Sequence, residues 1–316
     1  MPTATKKRPT SKKSTARKPT EEQIAERTAE VTTLKEQLVT SFTDLVTSED
    51  WTTYLGHAAQ LRNYSANNVM LIRWQCPHAT RVASFSGWKA LGRSVRKGEK
   101  SIRILRPLRA PIRRADGLED EDDRQWRVIG FRPGGVFDIS QTEGDLIGQP
   151  FIELLEGEAP EGVWDHLVSV AATNGWRVER DFTDDGMSRR LIEGRRLIVS
   201  PNLSEAGAVK ALVHELAHVR QLDEGHDVGA ERREVEAESV AYIVCNALGI
   251  TSAPFSIGYV AGWSGGDVSV VQACATWAVG AARAILDEIE SLGALDAPVE
   301  LADLGELDEL TSVRMP

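Results

Sequence analysis

The segment His214-Glu215-Leu216-Ala217-His218 has the residue types and spacing that most directly suggest chemistry. It follows the pattern His-Glu-x-x-His inside a run whose apolar residues recur with helical spacing. Residues four apart share one face of a helix, so the imidazoles of His214 and His218 can reach one metal ion. Glu215 lies beside that face and can accept a proton from a metal-bound water. The pattern predicts a zinc site in which His214 and His218 are ligands and Glu215 is the catalytic base.

A zinc site of this kind needs a third protein ligand, and a predicted acidic helix from about residue 231 supplies candidates. Glu234 and Glu238 lie one turn apart on a common face of that helix, whereas Glu236 points away. We expect Glu234 to bind zinc and Glu238 to accept the free ring N–H of a ligand histidine. The reverse assignment is an alternative. Two further alternatives are a purely structural zinc ion and a surface helix whose His and Glu side chains are merely solvated.

Positive charge is concentrated between residues 93 and 114, where nine basic residues stand against the single acid Glu99. Charges that follow a backbone and aromatic rings that stack bases are what unpaired nucleic acid requires. The alternatives are a solvated edge strand protected by Lys and Arg, with the aromatic side chains in the core, or a surface for an acidic protein. The basic residues are Arg93, Arg96, Lys97, Lys100, Arg103, Arg106, Arg109, Arg113 and Arg114, preceded by Trp88, Lys89 and, further upstream, Tyr64, Asn67 and Asn68.

The composition is typical of a soluble protein that can bury a sizeable core, with 316 residues, 41% hydrophobic and 27% charged. The net charge is −10, and the pI of about 5.3 argues against general nucleic-acid affinity without excluding a local basic face. Three scattered cysteines argue against a disulfide framework or a cysteine zinc site. Polar residues interrupt the most apolar stretch, at 268–286, and no apolar segment follows the basic N-terminus. We therefore expect a cytoplasmic protein that makes no membrane contact.

The elements that must position these residues indicate an α+β fold with two domains. Residues 21–145 are expected to form a helical and small-sheet domain, and residues 161–290 a mainly helical domain that follows a Gly- and Pro-punctuated linker at 146–160. Residues 1–20 are expected to be a disordered basic tail and residues 291–316 an acidic tail. Strands are predicted at 82–85, 101–106, 126–131, 136–139, 176–179 and 191–199, and Asn202 or Ser204 is expected to cap the motif helix.

Four segments, taken in order, resemble the N-terminal domain of ArdC-like antirestriction proteins: Tyr64-Ser-Ala-Asn-Asn68, Ser86-Gly-Trp88-Lys89, Val95-Arg-Lys-Gly-Glu-Lys100 and Val136-Phe-Asp-Ile-Ser-Gln-Thr-Glu143. The resemblance implies single-stranded DNA binding and a role in protecting incoming DNA of a mobile element from restriction. The positions that match it are Tyr64, Asn67, Asn68, Trp88, Lys89, Lys97 and Lys100.

The His-Glu-x-x-His segment looks like the zincin-type, gluzincin-like metallopeptidase domain of the same family. The segment Glu234-Val-Glu-Ala-Glu238 resembles repressor-cleaving metallopeptidases equally well. Three hypotheses follow. The protein is a DNA-binding protection protein with a zinc domain, or a metalloendopeptidase that DNA binding targets to a regulatory protein, or a zinc-stabilised scaffold with neither activity.

Overall fold

The structure, a computed structural model, describes residues 20–45, 47–111, 126–144, 155–156, 158–183, 186–251 and 264–292. The predicted basic tail up to residue 19, residues 112–125, most of the predicted linker and the predicted acidic tail from residue 293 lie outside these ranges. Helices and small sheets alternate along the described chain, which confirms the predicted α+β class.

Three helices open the described chain: α1 (Glu21–Thr43), α2 (Ser48–Gln60) and α3 (Ala66–Gln75). Helix α1 begins at Glu21, where the first domain is predicted to start, and Thr20 and Gln23 form a capping box around its first turn. Its stripe of Leu34, Leu38 and Phe42 is buried. This stripe anchors the outermost helix on the core.

The basic segment folds into short strands around one long hairpin. Strand β1 (Val82–Ala83), helix α4 (Phe85–Ala90) and strand β2 (Arg93–Val95) precede β3 (Ile102–Pro111) and β4 (Trp126–Asp138). The chain then forms a 3-10 turn and β5 (Thr142–Gly144). Strand β4 lies between β1 and β3 in an antiparallel sheet, and β2 pairs with β5. The hairpin therefore extends from the small sheet that β1, β3 and β4 form.

Strand β4 is continuous, which corrects the prediction of two strands separated at Pro133-Gly134-Gly135. Pro133 pairs with Leu105, and β1 meets β4 only at residues 137 and 138, so the proline lies where it needs no second partner. A Cβ atom at Gly134 would stand 2.4 Å from Cδ of Arg106. Because Gly134 has no side chain, the Arg106 side chain can cross β4 at this position while the strand stays paired.

The second half of the described chain has a small sheet on four longer helices. These elements are β6 (Leu155–Glu156), α5 (Val163–Thr173), β7 (Arg177–Arg180), β8 (Ser188–Leu191), β9 (Arg196–Val199), α6 (Glu205–Asp223), α7 (Ala230–Ala247), β10 (Ile250–Thr251) and α8 (Val268–Ser291). Strand β9 pairs with β7 in parallel and with β8 antiparallel. The predicted strand at 191–199 is thus a hairpin. Gly194 and Arg195, which have φ angles of 78° and 47°, turn the chain there.

One continuous hydrophobic cluster joins the two halves of the described chain. Helix α2 packs on α7, and α3 packs on α8. Trp51 of α2 is fully buried, and its Nε1 donates to Ser239 Oγ of α7 at 3.0 Å. The domain boundaries at residues 145 and 161 stay a prediction. The two segments that they delimit share one hydrophobic core in the described part of the chain.

Among the described residues, helix α8 is long and apolar enough to cross a membrane. Core helices of soluble proteins can have the same length and composition. Its apolar face, with Cys274, Ala278 and Ile285, is buried against α1, α3, α5 and α7. The helix therefore packs here as a core element.

Candidate metal centre

Helices α6 and α7 pack against each other and bring the predicted ligands together. Ser204 caps α6 by accepting from the Gly207 amide at 3.2 Å, as one of the two predicted caps. The apolar face of α6 is buried, which fixes the rotation of the helix about its axis. The histidine face of α6 is thereby turned toward α7.

Ring nitrogens of two histidines and one carboxylate converge on a point between these helices. Nε2 of His214 lies 3.1 Å from Nε2 of His218, and Glu234 oxygens lie 3.5 Å from the first nitrogen and 3.3 Å from the second. Donors about 2.05 Å from a tetrahedral zinc ion are about 3.3 Å apart. The set His214, His218 and Glu234, the metal-competent group found in the described residues, fits that spacing.

Glu215 is buried beside the donor set, and its carboxylate is oriented by a residue that sequence reasoning missed. Ser188 Oγ of strand β8 donates to Glu215 Oε1 at 2.9 Å. Both residues line the same cavity as the three donors. No local motif marks Ser188, because its approach depends on the hairpin of β8 and β9.

Glu238 occupies a different position from Glu234. Its Oε1 lies 3.6 Å from His214 Nδ1, and its Oε2 lies 3.4 Å from Lys210 Nζ. Glu238 thus faces the ring nitrogen of His214 that does not point at the donor set. Both the ligand role of Glu234 and the supporting role of Glu238 stay predictions, with geometry in their favour.

Gln221 is a second residue that sequence reasoning missed. Its Oε1 lies 2.8 Å from His218 Nδ1, and its Nε2 donates to the Arg233 carbonyl oxygen at 3.0 Å. When Gln221 Oε1 accepts from His218 Nδ1, the proton is held there and Nε2 is left as the lone pair available to a metal.

Glu236 is fully buried behind the site, where it binds two side chains. It accepts from His226 Nε2 and Arg232 Nε, each at 2.8 Å. His226 also stacks on Trp277, with ring centroids 5.0 Å apart. His226 lies in the loop between α6 and α7, and its local sequence does not indicate these contacts because Glu236 and Trp277 belong to α7 and α8.

The charges of the site shift two pKa values in opposite directions. The hydrogen bond from His214 holds the pKa of Glu234 below its usual range, against the effect of burial. Burial acts to lower the pKa of His214, but the hydrogen bond to Glu234 and the charges of Glu238 and Glu215 outweigh it and raise that pKa. A metal ion must therefore displace a firmly held proton from His214.

The donors open into a cavity of about 460 Å³ that is large enough for part of a peptide chain. Cationic side chains stand among its carboxylates. The lining residues are Met187, Ser188, Arg189, Arg190, Lys210, Ala211, His214, Glu215, His218, Glu234 and Glu238.

Three of the predicted DNA-binding residues are buried and held by the fold. Trp88 is fully buried and donates from Nε1 to the Phe137 carbonyl oxygen at 2.8 Å. Asn68 bonds the backbone of Leu105 through both side-chain atoms, and Arg93 bonds Thr142 and Gly144. These placements correct the expectation that Trp88 stacks a base and that Asn68 and Arg93 face DNA, because those polar groups already satisfy backbone atoms.

Four further predicted residues have polar partners within the protein. Tyr64 donates to the Val82 carbonyl oxygen, and Asn67 Oδ1 accepts from Gln272 at 2.9 Å. Arg96 pairs with Glu99, and Arg103 pairs with Glu30 of α1. Lys89, Lys97 and Lys100 are exposed. The exposed part of the predicted set is thus Lys89, Arg96, Lys97 and Lys100.

The outer part of the β3–β4 hairpin forms an exposed surface that sequence reasoning assigned only in part. Paired residues Pro107 and Phe131, Arg109 and Val128, and Pro111 and Trp126 share one face; Arg106, Arg127 and Arg132 lie on the other. Trp126 is 55% exposed and Phe131 is 44% exposed. We call residues 106–111 and 126–132 the hairpin surface. Arg113 and Arg114 lie outside the described residues.

Comparison with known proteins identifies the first part of the chain. Residues 16–137 match the family model of the N-terminal domain of anti-restriction factor ArdC. This segment therefore matches the ArdC N-terminal domain family, as the resemblance predicted.

Individual relatives are more distant. An uncharacterised protein of Bacillus anthracis is 27% identical over 78% of this chain and 48% of its own length, so the chain spans about half of that relative. The crystal structure of the metal-free antirestriction protein ArdC of plasmid R388 is 22% identical, with a TM-score of 0.49 over 72% of this chain and 86% of that one. Its Mn(II)-bound structure is 21% identical, with a TM-score of 0.43 over 72% and 89%.

Proposed function

We propose that this protein binds single-stranded DNA as an antirestriction-type protein of a mobile element and contains a zinc centre. The observation that carries the proposal is the hairpin surface, which combines exposed aromatic rings with arginines and lies largely inside the ArdC-type segment. The chain's acidic balance makes this local basic surface a specific feature.

The hairpin surface supports single strands in preference to duplex DNA. The ring faces of Trp126 and Phe131 can stack bases only when those bases are unpaired. Arginines on the opposite face, at 106, 127 and 132, can follow a backbone that passes around the hairpin. Lys89, Lys97 and Lys100 offer further exposed positive charge close to the same sheet.

Fluorescence anisotropy with a labelled single-stranded oligonucleotide and a matched duplex tests this function. The protein used in this experiment begins at residue 20. It lacks the seven basic residues that precede α1, so these residues cannot contribute to binding. We expect single strands to bind at least about tenfold more tightly than duplex, with affinity that falls steeply as salt rises. Equal affinity for the two, or an absence of binding at low salt, would contradict the proposal.

The zinc assignment rests on the chemistry of the donor set. Two imidazoles and one carboxylate are the ligands of many hydrolytic zinc sites, and imidazole suits zinc better than it suits magnesium or calcium. Manganese also fits the observed spacing. We expect the purified protein to contain about one zinc per chain by elemental analysis and to prefer zinc in competition with manganese. Preference for manganese would contradict zinc but leave a divalent metal centre.

A metalloendopeptidase that acts on a regulatory protein is the second candidate function. The favouring observation is Glu215, which is buried next to the donors, held by Ser188 and open to the cavity. Zinc, when bound, lowers the pKa of a coordinated water to about 7. Glu215 would take a proton from the water as the water oxygen adds to the scissile carbonyl, and would give that proton to the leaving amine as the C–N bond breaks.

Glu215→Gln separates the two functions. Under DNA protection alone, the variant keeps its zinc content and its DNA affinity and has no cleavage to lose. Under the peptidase function, peptide cleavage falls by about 10²- to 10⁴-fold, while the zinc content and the DNA affinity are unchanged. Cleavage that persists in Glu215→Gln would contradict the role of Glu215 as the base.

A further inference from the structure

Strand β8 places a second side chain on the metal cavity beside Ser188. Alternate residues of a strand point to the same side, so Ser188 and Arg190 both face α6 and α7. Ser188 reaches Glu215, and the charge of Arg190 contributes to the lowered pKa of Glu234. Arg190 therefore lies next to the donor set while belonging to a different element.

The Arg190 guanidinium is left unsatisfied in the described part of the protein. Its Nε and Nη1 atoms are buried and make no hydrogen bond there. An arginine side chain does not lose its proton, and a buried charge without hydrogen bonds is costly. The cavity thus contains a guanidinium that lies near the charge of Glu234 but whose Nε and Nη1 have no hydrogen-bond acceptor in the described part of the protein.

The nearby carboxylates are committed elsewhere. Both oxygens of Glu234 approach the histidines, and Glu238 lies between Lys210 and His214. Glu215 accepts from Ser188. An external anion is the remaining way to satisfy Arg190 without breaking these contacts.

We propose that Arg190 binds a carboxylate of a peptide in the metal cavity, so that the peptidase substrate is acidic near the scissile bond. This inference rests on the second proposed function. Strand β8 is an edge strand of its sheet within the described residues, so an extended peptide can pair with its backbone. A guanidinium then forms charge-assisted hydrogen bonds to a side-chain or C-terminal carboxylate.

Peptide retention on the immobilised, zinc-loaded full chain tests the proposal. The Glu215→Gln variant is used, so that peptides are bound and not cleaved. Three peptide pools are compared. The acidic pool contains octapeptides with Asp and Glu and with both ends blocked, and the amide pool contains the same peptides with Asn and Gln in their place. The free C-terminal pool contains the amide peptides with an unblocked C-terminal carboxylate. Bound fractions are measured by mass spectrometry.

We expect the acidic pool to be retained about 10- to 100-fold more than the amide pool, the range for hydrogen bonds to a charged group. Arg190→Gln should remove this preference and Arg190→Lys should restore part of it. Arg177→Gln, at an exposed position on β7 of the same sheet and outside the cavity lining, is the matched control and should keep the full preference. Zinc content and thermal melting verify that each variant is folded.

The outcomes separate this inference from the function on which it rests. A preference for the free C-terminal pool alone would support Arg190 as a carboxylate anchor and assign the carboxylate to the chain end. Equal retention of all three pools, or a preference that survives in Arg190→Gln, would overturn the inference while leaving peptide binding intact. If none of the three pools is retained, both the inference and the peptidase function are overturned.

Discussion

Glu215 and His218 each have their orientation fixed by a residue outside the His-Glu-x-x-His pattern. Ser188 reaches the first from strand β8, and Gln221 reaches the second from the next turn of α6. Such partners hold a carboxylate in place and set the tautomer of a ligand histidine. The chemistry of the site therefore depends on packing around the motif as well as on the motif.

Glu234 and Glu238 can be distinguished by their contributions to metal affinity. Glu234→Gln replaces a carboxylate that lies near both Nε2 atoms, so we expect zinc affinity to fall by more than about 100-fold. Glu238→Gln changes a side chain beside His214 Nδ1 and should cost about 10- to 100-fold or less, the usual range for supporting residues. Competition with a chromophoric chelator measures both. A larger loss in Glu238→Gln would reverse the assignment.

Zinc affinity should rise with pH because a proton on His214 competes with the metal. The pKa of His214 is raised, so the metal-free site holds this proton to a higher pH than a free histidine does. In the metal-free protein the same proton stabilises the fold at low pH, and that stabilisation is lost as pH rises through the raised pKa.

Below the raised pKa, the apparent zinc affinity should fall by about tenfold per pH unit for this proton, and above it the affinity should level off. Chelator titrations from about pH 5 to about pH 9 measure this profile, because the range spans the pKa of about 6.5 of a free histidine. Glu238→Gln removes a charge that raises the His214 pKa, so its inflection should move to lower pH. A profile that is flat over this range would contradict the competition.

At the scale of elements, the hairpin surface carries the prediction for DNA stacking. Trp126→Ala with Phe131→Ala removes two exposed rings, so we expect a loss of about 1 to 3 kcal/mol of single-strand affinity per stacked base. The stability should change little, because neither ring is in the core. Phe182→Ala, at a more exposed ring outside this hairpin, is the control. Unchanged anisotropy titrations in the double variant would contradict stacking on the hairpin.

The sequence was sufficient to predict elements whose signals are local. Periodic Leu34, Leu38 and Phe42 predict α1, and the histidine spacing places both rings on one face of α6. The sequence was insufficient where a distant element decides. Trp88 has the composition of a stacking platform but is buried by the small sheet, and His226 meets Glu236 and Trp277 only after folding. Ser188 and Arg190 reach the cavity through a hairpin that the pattern indicated as one strand.

At the scale of the whole molecule, the shared hydrophobic cluster couples the ArdC-type segment to the candidate metal centre. Trp51 of α2 bonds Ser239 of α7, the helix that carries Glu234 and Glu238. Because α2 and α7 are buried against each other, unfolding of one exposes the apolar face of the other. Stability is therefore expected to be a joint property of both halves.

We expect calorimetry of the zinc-loaded chain to show one unfolding transition, and a chelator to lower its midpoint. Zinc at about a thousandfold excess over its Kd contributes about 4 kcal/mol to the folded state. Two transitions, of which only one responds to the chelator, would instead show that 21–145 and 161–290 unfold as separate domains. A midpoint unchanged by metal removal would contradict the stabilising role of the metal.

The salt dependence of single-strand binding tests the central claim most directly. The full chain is compared with a variant in which Arg106, Arg109, Arg127 and Arg132 are replaced by Gln. Each lost phosphate contact should reduce the slope of log affinity against log salt by about 0.7, so the variant should lose up to about 2.8 of slope along with its affinity. An unchanged slope and affinity would contradict DNA binding by the hairpin surface and with it the proposed function of this fold.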